Sequence, residues 1–197
     1  PALIFTILIS LLLSWYSLMP VSFIEYAKSV IYSLTFISNY YFYFSGLEYG
    51  AVSGLLKPLL HTWSLAIEEQ FYIIFPLLFI FCFKRFSKNL IIYLGIILLV
   101  SFIIAIYFSN SAPNFNFYFI GSRAWELLIG SLLFLLNKKS DLHIKPINSN
   151  LCTLFGLLLI FISFQFNYDT NPTPNFKTLL PLLGASIIIF TYKKEGF

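Results

Sequence analysis

The chain has 197 residues, of which 59% are hydrophobic and 10% charged, and its formal net charge is +4. Soluble domains carry roughly a quarter charged residues, and a mean hydropathy of +0.85 leaves nothing to build a water-facing shell. Soluble globular, disordered, collagen-like and nucleic-acid-binding classes are excluded; the composition predicts an all-α, polytopic membrane protein.

A helix rising about 1.5 Å per residue crosses a bilayer in about 20 apolar residues. Seven runs approach that length. Pro1–Met19 carries no charge; Ser29–Phe44 is short and rich in Tyr and Phe; Thr62–Phe83 and Asn89–Phe108 are long and apolar; Ser122–Leu136, Asn150–Phe166 and Thr178–Tyr192 are shorter. The runs are continuous rather than alternating, which excludes a closed β-barrel. No internal repeat or low-complexity linker interrupts them, so one helical bundle is expected. The chain opens on Pro1 without a basic stretch ahead of the first run, which argues against a signal peptide and for a segment of a longer protein. Cys82 and Cys152 end apolar runs and read as small apolar residues, since two cysteines make no framework and no metal spacing.

The loops sort by charge. Lys84, Arg85 and Lys88 follow the third run, Lys138, Lys139 and Lys145 the fifth, and Lys193 and Lys194 the seventh. Alternating spans put all of these on one side, the cytoplasmic one by the positive-inside rule. Ser45–Leu60, Ser109–Gly121 and Asn167–Lys177 would then face outward, where function concentrates in loops.

Ionisable groups inside an apolar run cost several kcal/mol unless they are paired or wetted, so they mark candidate sites. At about 100° per residue, His61, Ser64, Glu68 and Tyr72 share one helical stripe, and Glu69 points away from it. An imidazole with a carboxylate two turns on supplies a proton acceptor and an orienting anion. The competing assignment makes His61 an interfacial residue and Glu68 and Glu69 an acidic helix start behind Pro58. Arg123 and Glu126 lie three apart and share a face with Gly130. They form either a structural ion pair, with Trp125 in the aromatic belt, or a bidentate cradle for phosphate or carboxylate. The Asn39–Phe44 run is an aromatic belt or a sugar-stacking surface. Asp169 reads as a turn residue and His143 as a solvated loop residue.

The segment Pro58–Tyr72, with His61-Thr62-Trp63-Ser64 at its centre and Pro76 behind it, resembles the signature of the membrane acyltransferase-3 family. Arg123–Gly130 is similar to a second family segment, and Asn39 with Gly46–Gly50 to the stretch preceding the first. The resemblance runs the whole length of the chain. It implies O-acylation, usually O-acetylation, of cell-envelope carbohydrate such as O-antigen or peptidoglycan. The implied donor is acyl-CoA, normally acetyl-CoA, used as substrate with no bound cofactor and no metal. It also implies a bacterial inner-membrane location. Residues 1–197 would be a partial acyltransferase domain without the family's N-terminal helices, which carry its supposed catalytic His, and without a C-terminal SGNH-like domain.

The candidate catalytic residues are therefore His61, Glu68 and Glu69, and the candidate substrate-binding residues are Trp63, Ser64, Tyr72, Arg123 and Glu126. The implied partners are the lipid bilayer, the acyl-CoA and an envelope polysaccharide. The alternative class is a non-enzymatic carrier for lipid-linked sugar, with the intramembrane charges lining its path. A cytoplasmic basic loop ahead of Pro1, which the family pattern implies, conflicts with two full crossings before an outward Ser45–Leu60. The number of full spans before Ser45 and the absolute side of His61 stay open at this point.

Overall fold

The computed structural model describes residues 1–47, 57–86, 89–139, 146–165 and 173–192, and these are helical with short connections. They divide into two compact units, Pro1–Phe75 with Tyr118–Ile120, and Pro76–Phe117 with Gly121–Phe197.

In the first unit, α1 spans Ala2–Ser17, α2 Pro20–Leu34 and α3 Ser38–Leu47. Pro20 starts α2 because its fixed φ suits the first helical position, and it holds Met19 extended, which ends the preceding run. The Tyr26 hydroxyl binds α2 to α1, 2.8 Å from Ser10 Oγ and donating to Ile7 O at 3.2 Å. Ile7, Tyr26, Phe42 and Leu59 form the buried apolar core of this unit.

Ser29–Phe44 is not one helix, contrary to expectation. α2 ends at Leu34, and Phe36 takes φ 56°. The Phe36 amide donates to Ser33 O at 3.3 Å and the Ile37 amide to Tyr32 O at 3.0 Å. That pair of bonds is the Schellman stop, usually built with glycine at the left-handed position. Here a phenylalanine occupies it.

Thr62–Phe86 forms α4, which contributes to both units and contains Pro76. In the second unit, α5 spans Leu90–Ser111, α7 Ile120–Lys139, α8 Pro146–Ser163 and α9 Leu179–Tyr192. A short α6, Pro113–Tyr118, occupies part of the expected loop Ser109–Gly121. The close approach between α8 and α9 has a local cause. A Cβ on Gly156 would lie 2.8 Å from Gly184 O, and one on Gly184 would lie 2.6 Å from Gly156 O. Only hydrogen at both positions allows the backbones to meet. Gly130, expected to admit a close neighbour, has open space where a Cβ would stand.

Three described helices are long and apolar enough to cross a membrane: Thr62–Arg85, Leu90–Ser111 and Ile120–Asn137. They match three of the seven expected runs. Ala2–Ser17, Ser149–Ser163 and Phe176–Thr191 are shorter apolar helices. Leu77 and Ile103 are 68% and 63% exposed on the long helices. Water would penalise such faces and hydrocarbon does not. Lys84 and Arg85 sit in the last turn of α4, where cations complement the helix dipole. Lys88, Lys145, Lys193, Lys194, His143 and Asp169 lie outside the described residues.

Candidate functional site

The first site grows from the start of α4. Residues 58–61 make a tight turn, with the Leu60 amide bonded to Lys57 O and the Thr62 amide to Leu59 O, both at 3.0 Å. His61 is therefore the last turn residue rather than a helical one, and it is exposed. Ser64 donates back to His61 O at 3.2 Å. Glu68 and Tyr72 are exposed on the helix beyond, and Glu69 is half-buried. Among the described residues, neither His61 nor Glu68 has a side-chain hydrogen bond or ion pair. The expected stripe is thus helical from Ser64 to Tyr72 only, with His61 in the turn before it and both His61 and Glu68 exposed.

Beneath that stripe lies a network that spacing along the chain does not reveal. Thr62 Oγ1 lies 2.8 Å from Ser33 Oγ, 2.8 Å from Leu59 O and 3.2 Å from Ser38 Oγ. Ser38 donates to Thr62 O at 3.0 Å. Two turns on, Gln70 Nε2 donates to Phe36 O at 2.7 Å and to Asn39 Oδ1 at 2.8 Å. The fully buried Asn39 in turn donates to Tyr118 O at 3.0 Å. Ser33, Ser38, Thr62 and Gln70 carry no charge, so nothing ionisable marks them in the amino-acid order. Asn39 is part of this network rather than of an aromatic surface.

Trp63 is half-buried and meets Tyr118 edge-on, with ring centroids 5.7 Å apart, while Tyr43 lies 6.5 Å from the same ring. Burial raises the pKa of the Tyr118 phenol.

In the second unit, Arg123 and Glu126 pair at 3.7 Å, the contact expected of their i, i+3 spacing. The Arg123 guanidinium also stands 5.3 Å over the Phe117 ring. Trp125 is not in an aromatic belt. It is fully buried, edge-on to Phe102 at 4.8 Å, with its backbone amide on Ser101 Oγ at 3.0 Å. Its indole N–H has no partner among the described residues. Asn116 is likewise fully buried, and its amide nitrogen ties α6 to Ala105 O and Pro174 O. Cys82 and Cys152 are free thiols, and no group of three potential metal ligands occurs among the described residues.

The comparisons with known proteins bear on what this arrangement serves. The chain is 33% identical over 181 residues to an uncharacterized protein of Haemophilus influenzae strain Rd, covering 86% of this chain and 72% of that protein. The chain belongs to the same family as that protein. It is also 36% identical over 108 residues to the peptidoglycan O-acetyltransferase OatA of Listeria monocytogenes, and 33% identical over 117 residues to the O-acetyltransferase OatA of Staphylococcus aureus. Those matches cover 52% and 58% of this chain but only 17% and 19% of the OatA proteins. The chain thus spans less than a fifth of the named enzymes it matches, and the relationship is O-acetyltransferase-like. No family model matches the chain. No solved structure matches it.

Proposed function

We propose that the protein is a membrane-bound O-acyltransferase that moves an acetyl group from acetyl-CoA to a hydroxyl of cell-envelope carbohydrate. The observation that carries this reading is the similarity to two proteins named as O-acetyltransferases, one of them for peptidoglycan. The open polar stripe at the start of α4 is consistent with it. The acceptor belongs to the class that includes peptidoglycan and O-antigen, and the bacterial inner membrane is where donor and exported acceptor meet.

The chemistry is thioester aminolysis's oxygen counterpart. An acceptor hydroxyl loses its proton to a base as its oxygen attacks the thioester carbonyl. The carbon–sulfur bond then breaks, the ester forms, and the CoA thiolate takes up a proton. In this reading the base is an imidazole supplied upstream of Pro1, and His61 with Glu68 orients that base or the donor. Glu69 lies outside the stripe and serves as its acidic neighbour. Ser64 and Tyr72 on the stripe, and Trp63 beside it, contact substrate. Arg123 holds a phosphate or carboxylate of the substrate, with Glu126 fixing its guanidinium.

The test is acetyl transfer from labelled acetyl-CoA into envelope polysaccharide by the natural full-length protein in proteoliposomes. Ester-linked label that alkali releases is the expected result. Translocation of a lipid-linked sugar without acetyl transfer would replace the enzyme with the carrier.

A further inference from the structure

A phenylalanine at φ 56° is a conformation that L side chains seldom adopt, and it persists only where surrounding bonds over-determine it. The bonds that do so come from α2 and α4. The Schellman pair closes the Phe36 backbone from within α2, and Gln70 Nε2 reaches across from α4 to take the Phe36 carbonyl at 2.7 Å. The same Gln70 nitrogen also holds Asn39 at the start of α3. Two turns earlier on α4, Thr62 engages Ser33 at the end of α2 and Ser38 at the start of α3. The α2–α3 joint is therefore fastened to α4 at two points on one helix, at Thr62 and at Gln70. His61 is the residue immediately before the first point, and Ser64 and Glu68 lie between the two.

We propose that Thr62 and Gln70 are positioning residues: they latch the Phe36 joint to the first turns of α4 and so fix the backbone that presents His61, Ser64 and Glu68. The catalytic half of this proposal rests on the acyltransfer reading above; the structural half does not. Neither Thr62 nor Gln70 touches the substrate. Their action is through the placement of the stripe, on the scale where a displacement of about 1 Å costs 10²-fold in rate.

Two pairs of measurements test it in the natural full-length protein. Gln70→Glu keeps the length of the side chain and removes both donated bonds. Thr62→Val keeps the shape and removes the hydroxyl, and Thr62→Ser restores it. Amide hydrogen exchange over residues 57–64 is expected to accelerate at least tenfold in Gln70→Glu and Thr62→Val, to stay within twofold in Thr62→Ser, and to leave α8 unchanged. Turnover is expected to fall at least tenfold in the first two variants with KM for acetyl-CoA within twofold, and to return in Thr62→Ser. Unchanged exchange over residues 57–64 in the folded variants overturns the latch. A loss of turnover matched by loss of folded protein, or shared equally by Thr62→Ser, overturns its positioning role. Should Gln70→Glu not accumulate, the Thr62 pair decides alone. Should the wild-type protein transfer no acetyl group, the acyltransfer reading falls, and the exchange pattern still decides the latch.

Discussion

The α2–α3–α4 assembly and the α8–α9 pair solve the same problem, holding apolar helices together, by opposite means. α8 and α9 meet through an absence. Gly156 and Gly184 leave out their side chains and backbone approaches backbone over a close fit, with a hydroxyl pair, Thr153 Oγ1 3.2 Å from Thr191 Oγ1, as a polar contact between the two helices. The first three turns of α4 instead meet their neighbours through hydroxyls and amides: Ser33, Ser38, Asn39, Thr62 and Gln70. Hydrocarbon rewards the first device at every orientation that keeps the surfaces close. The second is satisfied in one register only, because donors and acceptors must meet at set places. A close-packed pair gives adhesion, and a hydrogen-bonded joint gives alignment. Alignment is what a site needs, and it is at the hydrogen-bonded joint that His61 and Glu68 project.

The comparison breaks or holds on activity first. In the full-length protein His61→Ala and Glu68→Gln are expected to lower acetyl transfer about 10²-fold, the scale of misplacing a reacting group by about 1 Å, with the protein still present in the membrane. Wild-type turnover by His61→Ala would return that residue to an interfacial role and detach the joint from catalysis.

The α8–α9 pair should respond in stability rather than in chemistry. Gly184→Leu adds a side chain whose first carbon already meets Gly156 O and Ile160 Cγ1. Overpacking of this kind costs about 1–3 kcal/mol or more. Unfolding in graded denaturing detergent should shift accordingly, while turnover per folded molecule stays constant. A wild-type unfolding midpoint would show that the close approach does not hold the pair.

A smaller loss is expected at Asn39→Leu, which keeps the volume of the side chain and strips both its bonds. The Gln70 amide then keeps only its bond to Phe36 O and Tyr118 O loses this donor, at about 1 kcal/mol for the bonds lost. Here stability and activity should fall together, which separates the joint from the glycine pair. Thermal unfolding followed alongside acetyl transfer checks it.

The smallest effect should come from Ser64→Ala. Its bond to His61 O is exposed and 3.2 Å long, and water replaces such a bond readily. Less than about 0.5 kcal/mol in stability is expected. Turnover should still fall, because Ser64 contacts substrate in the proposed site, and unchanged turnover would take Ser64 off the substrate.

The contrast also explains what the amino-acid order could reveal. Apolar length is written locally, so Thr62–Phe83, Asn89–Phe108 and Ser122–Leu136 reappear in α4, α5 and α7 within a few residues. The Arg123–Glu126 pair was legible because i, i+3 spacing is a property of one helix. The break inside Ser29–Phe44 was not, since a Schellman stop normally announces itself with glycine and this one uses Phe36. Nor was the joint beneath the stripe. Gln70 meets Phe36 and Asn39 across more than thirty positions, and no spacing rule connects residues that only the tertiary fold brings together. Trp125 was misplaced for a related reason. Tryptophan near the end of an apolar run usually sits in the headgroup zone, but this one is fully buried, with Phe102 and Ser101 of α5 against it.

Pro76 in the middle of α4 has a consequence for how the protein is made. Without an N–H, it leaves the Tyr72 carbonyl without its intrahelical donor. When the ribosome delivers this segment to the membrane, the nascent span enters carrying a backbone group that lipid tails cannot satisfy. Insertion is then favoured with the Tyr72 side of the helix turned toward water, headgroups or another span, before any neighbouring helix has arrived to impose an orientation.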